Sequence, residues 1–266
     1  MKNNIKSLYL SIALCVLFFN KNSAAQDVEP PIKNKSFTLS LGYEKSYFKD
    51  VNYSQLNQQG NGAVLQFQFQ KKLKSNAIFS GALDLPFAIT KPKAADHFKA
   101  IQTIANIEIA YLKNVSLKNE KFQLYLGGQY HTYYHLVFYN GTESFTMFGT
   151  NGIDISAFLN YTFNDKQNIS TKISLPIVAQ LIRPPYTGWD KFITDNYQNI
   201  PKILTRGKIV SINKFFGVNF DLNYEYKYKA KRSVLINYGL RYYTTPEVKK
   251  SIVLNNQLNV GLIFKL

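Results

Sequence analysis

The run from residue 252 to residue 266 constrains this chain most. It reads I-V-L-N-N-Q-L-N-V-G-L-I-F-K-L. Ile252, Leu254, Leu258, Val260, Leu262, Phe264 and Leu266 share one parity, interrupted only by Asn256. Asn255, Gln257, Asn259, Gly261 and Lys265 dominate the other. Side chains of an extended chain alternate between faces, so the pattern predicts one long strand with an apolar face and a polar face. Such a strand suits a wall with hydrocarbon on one side and a polar interior on the other.

The same alternation recurs along the chain. It predicts nine further strands at 36–48, 62–73, 77–89, 100–114, 121–138, 150–163, 168–181, 214–229 and 233–244. In the second, Ala63, Leu65, Phe67 and Phe69 alternate with Val64, Gln66, Gln68 and Gln70. In the eighth, Phe216, Val218, Phe220, Leu222 and three tyrosines alternate with Gly217, Asn219, Asp221, Asn223, Glu225 and Lys227. Connections alternate too. Tight turns fall at 74–76, 115–120, 164–167 and 230–232, and longer loops at 49–61, 90–99, 139–149, 182–213 and 245–251.

These features predict an all-β chain folded as one closed antiparallel transmembrane barrel of ten strands, with eight or twelve as alternatives. In hydrocarbon every backbone N–H and C=O needs a partner, so the first and last strands must pair and close the sheet. Soluble strands are usually five or six residues long, and these alternations are more than twice that. No run after residue 25 reaches eighteen consecutive apolar residues, which argues against membrane helices.

Residues 1–25 read as an export signal, with Lys2 and Lys6 before an apolar stretch and Ser23, Ala24 and Ala25 before Gln26. Residues 26–35 would form a short periplasmic lead and 36–266 the barrel. Cys15 is the only cysteine, and Leu14 before it does not suit lipidation. The exported chain would hold no cysteine, so disulfides, thiolate nucleophiles and Cys-based metal sites are excluded from it.

The formal net charge is +16, and removal of Lys2, Lys6 and Lys21 would leave about +13. Nucleic acid is the usual partner of so basic a chain. Nineteen Tyr and twenty Phe beside one Trp point instead to girdles at a lipid–water interface. The expected partners are therefore outer-membrane lipids and lipopolysaccharide phosphates, not nucleic acid.

In its alternating strands, its loop asymmetry and its terminal N-V-G-L-I-F-K-L, the chain resembles small bacterial outer-membrane β-barrel proteins. Phe264 stands two residues before the end, where many of these have a terminal aromatic. The resemblance implies a place in the outer membrane of a Gram-negative bacterium and insertion by the barrel-assembly machinery. It identifies no activity.

Candidate functional residues follow from parity. Asp84, Glu108, His131, Tyr133, His135, Asp154, Lys172, Asp221, Glu225 and Arg241 should all face the lumen. Mixed charges inside a narrow barrel are expected to pair, and Tyr125, Tyr133, Phe158 and Tyr243 should crowd the interior. His131 and His135 would lie about 13 Å apart along a strand, too far to share a metal ion. No metal site or cofactor is expected.

If strands five and six turn around Ser144, His135 comes opposite Asp154 near the external mouth. An acid–histidine pair there suits activation of water. Ten-stranded proteases of the omptin family use acid and histidine groups at this height, but no matching motif is present. Outer-membrane phospholipases and lipid A deacylases place a serine beside the histidine, whereas Thr132 after His131 points to the opposite face. The expectation is thus a small barrel with a transport, binding or structural role and no enzymatic activity. The alternative is a hydrolase using His135 and Asp154. Arg183, Tyr186 and Trp189, in the stiff run R-P-P-Y-T-G-W-D, are the candidate ligand-binding residues of the longest loop.

Overall fold

A computed structural model describes residues 35–92, 99–115, 117, 119, 121–141, 145–184, 195–196 and 198–266. The expected signal segment, all of the expected lead except Lys35, Ser144, Tyr186 and Trp189 lie outside the described residues.

Alternation becomes sidedness. Leu41 and Val260 are 66% and 58% exposed, whereas Gln66, Glu44 and Asn259 at opposite parity are sealed inside. The strands are β1 (Lys35–Asp50), β2 (Gln58–Lys72), β3 (Ala77–Pro92), β4 (Ala100–Val115), β5 (Phe122–Tyr139), β6 (Phe145–Asn164) and β7 (Gln167–Ile182). A short helix α1 (Ile200–Leu204) leads to β8 (Lys208–Ser211), followed by β9 (Phe216–Lys229), β10 (Arg232–Thr245) and β11 (Ser251–Lys265). Each long strand pairs antiparallel with its neighbours, and β1 pairs with β11 from Ser36↔Lys265 to Asp50↔Ser251. The wall is therefore a closed ring of ten long strands, with β8 lying beside the end of β7.

Closure and sidedness together require a nonaqueous exterior. Outward Leu39, Leu85, Ile107, Ile155, Ile236 and Leu262 form a continuous apolar belt. Below it, close to the tight turns, stand Phe37, Phe79, Tyr111, Phe122, Phe163 and Tyr226. Such a girdle matches the polar–apolar boundary of a bilayer. A hydrocarbon solvent explains both the belt and the absence of an open edge among the described strands.

The expected strand at 214–229 is present as β9, but the expected loop at 182–213 also contributes to the wall. The chain first pairs as β8 with Val178–Leu181 of β7, then turns through residues 212–215, then pairs as β9 with Gln167–Ser174. The cause lies on β7. Pro176 has no N–H for the ladder, and the β6–β7 register shifts between Ile153 and Asp154. Ile177 and Val178 consequently both face outward. The interruption lets Phe215 turn into the lumen, where it is buried.

Candidate functional site

The interior divides into layers, described from the tight-turn end toward the long-loop end. The first is a vestibule of about 450 Å³, reaching from Lys35 and Lys265 at the strand ends to Arg241, Glu108 and Lys172. Ile78, Leu112, Tyr125 and Phe158 form an apolar arc on its wall, contributed by β3, β4, β5 and β6.

Its floor is ionic. Arg241 on β10 reaches into the lumen and meets three carboxylates. Its Nη2 donates to Asp221 Oδ1 at 2.9 Å and lies 3.5 Å from Asp84 Oδ2, and its Nε lies 3.5 Å from Glu108 Oε1. Lys172 Nζ donates to Glu108 Oε2 at 2.6 Å. Asn106 Nδ2 donates to both Asp84 and Glu108, at 3.0 and 3.1 Å. Five strands are thereby tied across the lumen, and the expectation of paired interior charges holds for Asp84, Glu108, Lys172, Asp221 and Arg241. Glu225 sits nearer the mouth, accepting from Ser233 Oγ and Lys265 Nζ, both at 2.7 Å.

Amides fill the middle layer. Glu44 accepts from Gln102 Nε2 and Gln257 Nε2, each at 3.0 Å. Asn259 donates to Asn237, which donates to Asn223, each at 2.8 Å.

An unforeseen connection lies beside this layer. His131 Nδ1 is 2.6 Å from Asp154 Oδ1, and His131 Nε2 is 3.2 Å from Thr150 Oγ1. With the carboxylate ionised and the imidazole neutral, Nδ1 carries the proton and Nε2 accepts from the Thr150 hydroxyl. The order carboxylate, imidazole, hydroxyl matches that of a hydrolytic triad. All three side chains are sealed, each at 0% exposure. Gln129 Nε2 donates to the second oxygen of Asp154 at 3.2 Å, which further fixes the carboxylate. Gly152 is required here, because a Cβ would stand 2.6 Å from His131 Cε1.

The expected partnership of His135 with Asp154 is corrected. Phe138 pairs with Phe145, so the β5–β6 hairpin closes near Gly141, which has φ +77°, and not around Ser144. That displacement sets His135 opposite Phe148 and places Asp154 across from Gln129, one inward position from His131. His135 packs edge-on against Phe48, ring centroids 5.2 Å apart, and its Nε2 has no hydrogen-bond partner among the described residues.

Above the amides the lumen is plugged by aromatics. Tyr243 is central, 4.6 Å from Tyr133, 5.8 Å from Phe215 and 6.2 Å from Phe148 between ring centroids. Its hydroxyl donates to Asn219 Oδ1 at 2.6 Å. Tyr133 OH accepts from Asn255 Nδ2 at 2.9 Å.

At the long-loop end, Arg183 works as a latch. Its Nη2 donates to Asp50 Oδ1 at 2.7 Å, and its Nη1 donates to the carbonyls of Glu247 and Lys249. It thus joins β7, β1 and the β10–β11 loop, and its donors point inward. Glu247 takes Lys208 at 3.1 Å and Lys214 at 3.2 Å, and these two ammonium groups hold its carboxyl below the usual range.

Neither a family model nor a curated protein matches the sequence. Among solved structures, the chain is similar to the outer-membrane protease OmpT from Escherichia coli. Identity is 9% and the TM-score 0.47, over 93% of this chain and 100% of that one. It is similar to the translocator domain of the autotransporter NalP from Neisseria meningitidis at 9% identity and TM-score 0.43, over 99% and 96%. Neisserial surface protein A matches at 10% identity and TM-score 0.36, over 86% and 97%.

Proposed function

We propose that this chain is an integral outer-membrane protein of a Gram-negative bacterium and works as a sealed barrel, binding or structural in role, not as an open pore. The observation that carries this reading is the filled lumen. The Arg241 layer, the amide layer and the Tyr243 cluster lie in series across it. An ion on this path would have to break charge pairs and then cross packed rings. The basic groups at the two ends suit membrane phosphates. Lys208, Lys214, Lys249 and Lys250 stand at the long-loop end, where lipopolysaccharide would lie, and Lys71, Lys113, Lys121 and Arg232 stand near the tight turns. Insertion would use the barrel-assembly machinery.

Planar-bilayer recording tests the reading. The purified chain should give no discrete conductance steps, and steady single-channel openings would overturn it. Migration in detergent gels should shift on heating, because a closed barrel resists unfolding by cold detergent.

The Asp154–His131–Thr150 chain favours a second reading, an outer-membrane hydrolase. Enclosure weighs against it: neither water nor a scissile bond reaches Thr150 Oγ1 without opening the wall. On the leading reading, the three residues are a structural bridge between β5 and β6. The intact protein should hydrolyse neither phospholipid nor peptide. Hydrolysis abolished by Thr150→Val would establish the second reading.

A further inference from the structure

We infer that the vestibule at the tight-turn end is a binding site for a single-chain amphiphile with an anionic head, a carboxylate or a phosphate. Three features of the cavity lead there, and none depends on how the lumen is sealed above it.

The first is charge. Lining the cavity are five cations and three carboxylates. Each carboxylate already has a cation: Glu108 has Lys172 at 2.6 Å, Asp221 has Arg241 at 2.9 Å and Glu225 has Lys265 at 2.7 Å. Lys35 and Lys72 are left with no carboxylate partner among the described residues. Lys229, Lys231 and Lys74 stand around the mouth beyond them. A concave, low-dielectric mouth with this excess concentrates anions and repels cations.

The second is the apolar arc. Ile78, Leu112, Tyr125 and Phe158 come from four successive strands, and the Tyr125 and Phe158 rings lie 5.9 Å apart. Ile78, Leu112 and Tyr125 are buried against one another, and half-buried Phe158 leaves apolar surface open to the cavity.

The third is adjacency. Lys72 pairs in register with Ile78, the first residue of the arc. Lys72, which shares the inward parity of Gln66 and Gln70, therefore supplies a head-group position on β2, with Lys35 at the rim on β1, and an apolar chain runs from there across β3 to β6. The ionic floor stops it from going deeper, since Arg241 and Lys172 are held by their own carboxylates. The volume, about 450 Å³, lies within the range that holds small organic ligands.

The test uses the full chain refolded in a non-ionic amphipol, so that neither detergent nor bilayer competes for the site. Titration calorimetry with decanoate and with decyl phosphate separates the two head groups, and binding of either, saturable at one per chain, is expected. Inorganic phosphate alone and decyltrimethylammonium should give no heat above dilution. Lys35→Glu with Lys72→Glu should weaken the bound anion about tenfold or more. Ser80→Trp, which fills the cavity from β3, should abolish binding. Heat-shifted migration confirms that each variant still forms a barrel. Non-saturable uptake, equal binding of the cationic amphiphile or of bare phosphate, or indifference to Ser80→Trp would each overturn the proposal. Conductance of the same preparation reports on the seal separately, so the two readings fail independently.

Discussion

The two halves of the lumen solve the same packing problem differently. Toward the tight turns the interior is hollow and ends in a floor of paired charges around Arg241. Toward the long loops it is filled by Tyr133, Phe148, Phe215 and Tyr243, then capped by Arg183. The difference follows from reach. A guanidinium or ammonium on a long stem spans a narrow barrel and leaves space beside it, whereas flat rings stack and exclude water. The charged half holds its shape only while the charges of its floor stay paired. The aromatic half holds its shape by volume.

Removal of the central group from each half breaks the comparison most directly. Arg241→Ala leaves Asp84, Glu108 and Asp221 with Lys172 alone, and should cost about 3–5 kcal/mol. The deficit should be greatest at neutral pH and shrink in acid, where protonated carboxylates no longer repel. Denaturant titration at two pH values reads it, and a pH-independent loss would refute the charge account. Tyr243→Ala opens a cavity between Phe215 and Phe148 and should cost about 3–4 kcal/mol, equally at both pH values. It should give no conductance, because the ionic floor remains intact.

Smaller effects sharpen the contrast at the long-loop end. Arg183→Ala removes one ion pair and two donors to carbonyls, and should cost about 2 kcal/mol. Limited proteolysis should then cut the long-loop end faster while decanoate binding stays unchanged. The Glu247 tie should have the smallest effect. Its carboxyl is held low by Lys208 and Lys214, so the tie is present above the usual carboxylate pKa and is lost as pH falls through the lowered value. The protection factor around residues 208–214, that is, exchange corrected for its intrinsic pH dependence, should fall in acid in the native chain and be insensitive to pH in Glu247→Gln.

The inward residues were legible from parity alone. Asp84, Glu108, Asp221 and Arg241 were placed inside because each differs by an odd number from an apolar outward neighbour. The partners were not legible. Asp154 meets His131 because the β5–β6 turn falls near Gly141 and not around Ser144. The hydroxyl beside His131 is Thr150, from the adjacent strand. The hydroxyl next to His131 along the chain is that of Thr132, which lies on the opposite face. The left-handed preference of glycine at 141, in N-G, was the available signal for the turn.

The break between β8 and β9 shows the same boundary. Pro176 was visible as a residue without an N–H, yet its consequence appeared on the neighbouring strand, where Phe215 enters the lumen.

By itself, the sequence determined which face of each long strand is apolar and that the sheet closes. These follow from a period of two and from the cost of an unpaired backbone in hydrocarbon, both local or nearly so. Only the tertiary structure decided which interior groups touch, what plugs the lumen and where it stays hollow. Those depend on register between strands, and a shift by an even number of residues at one turn exchanges every partner while leaving each side chain on its own face.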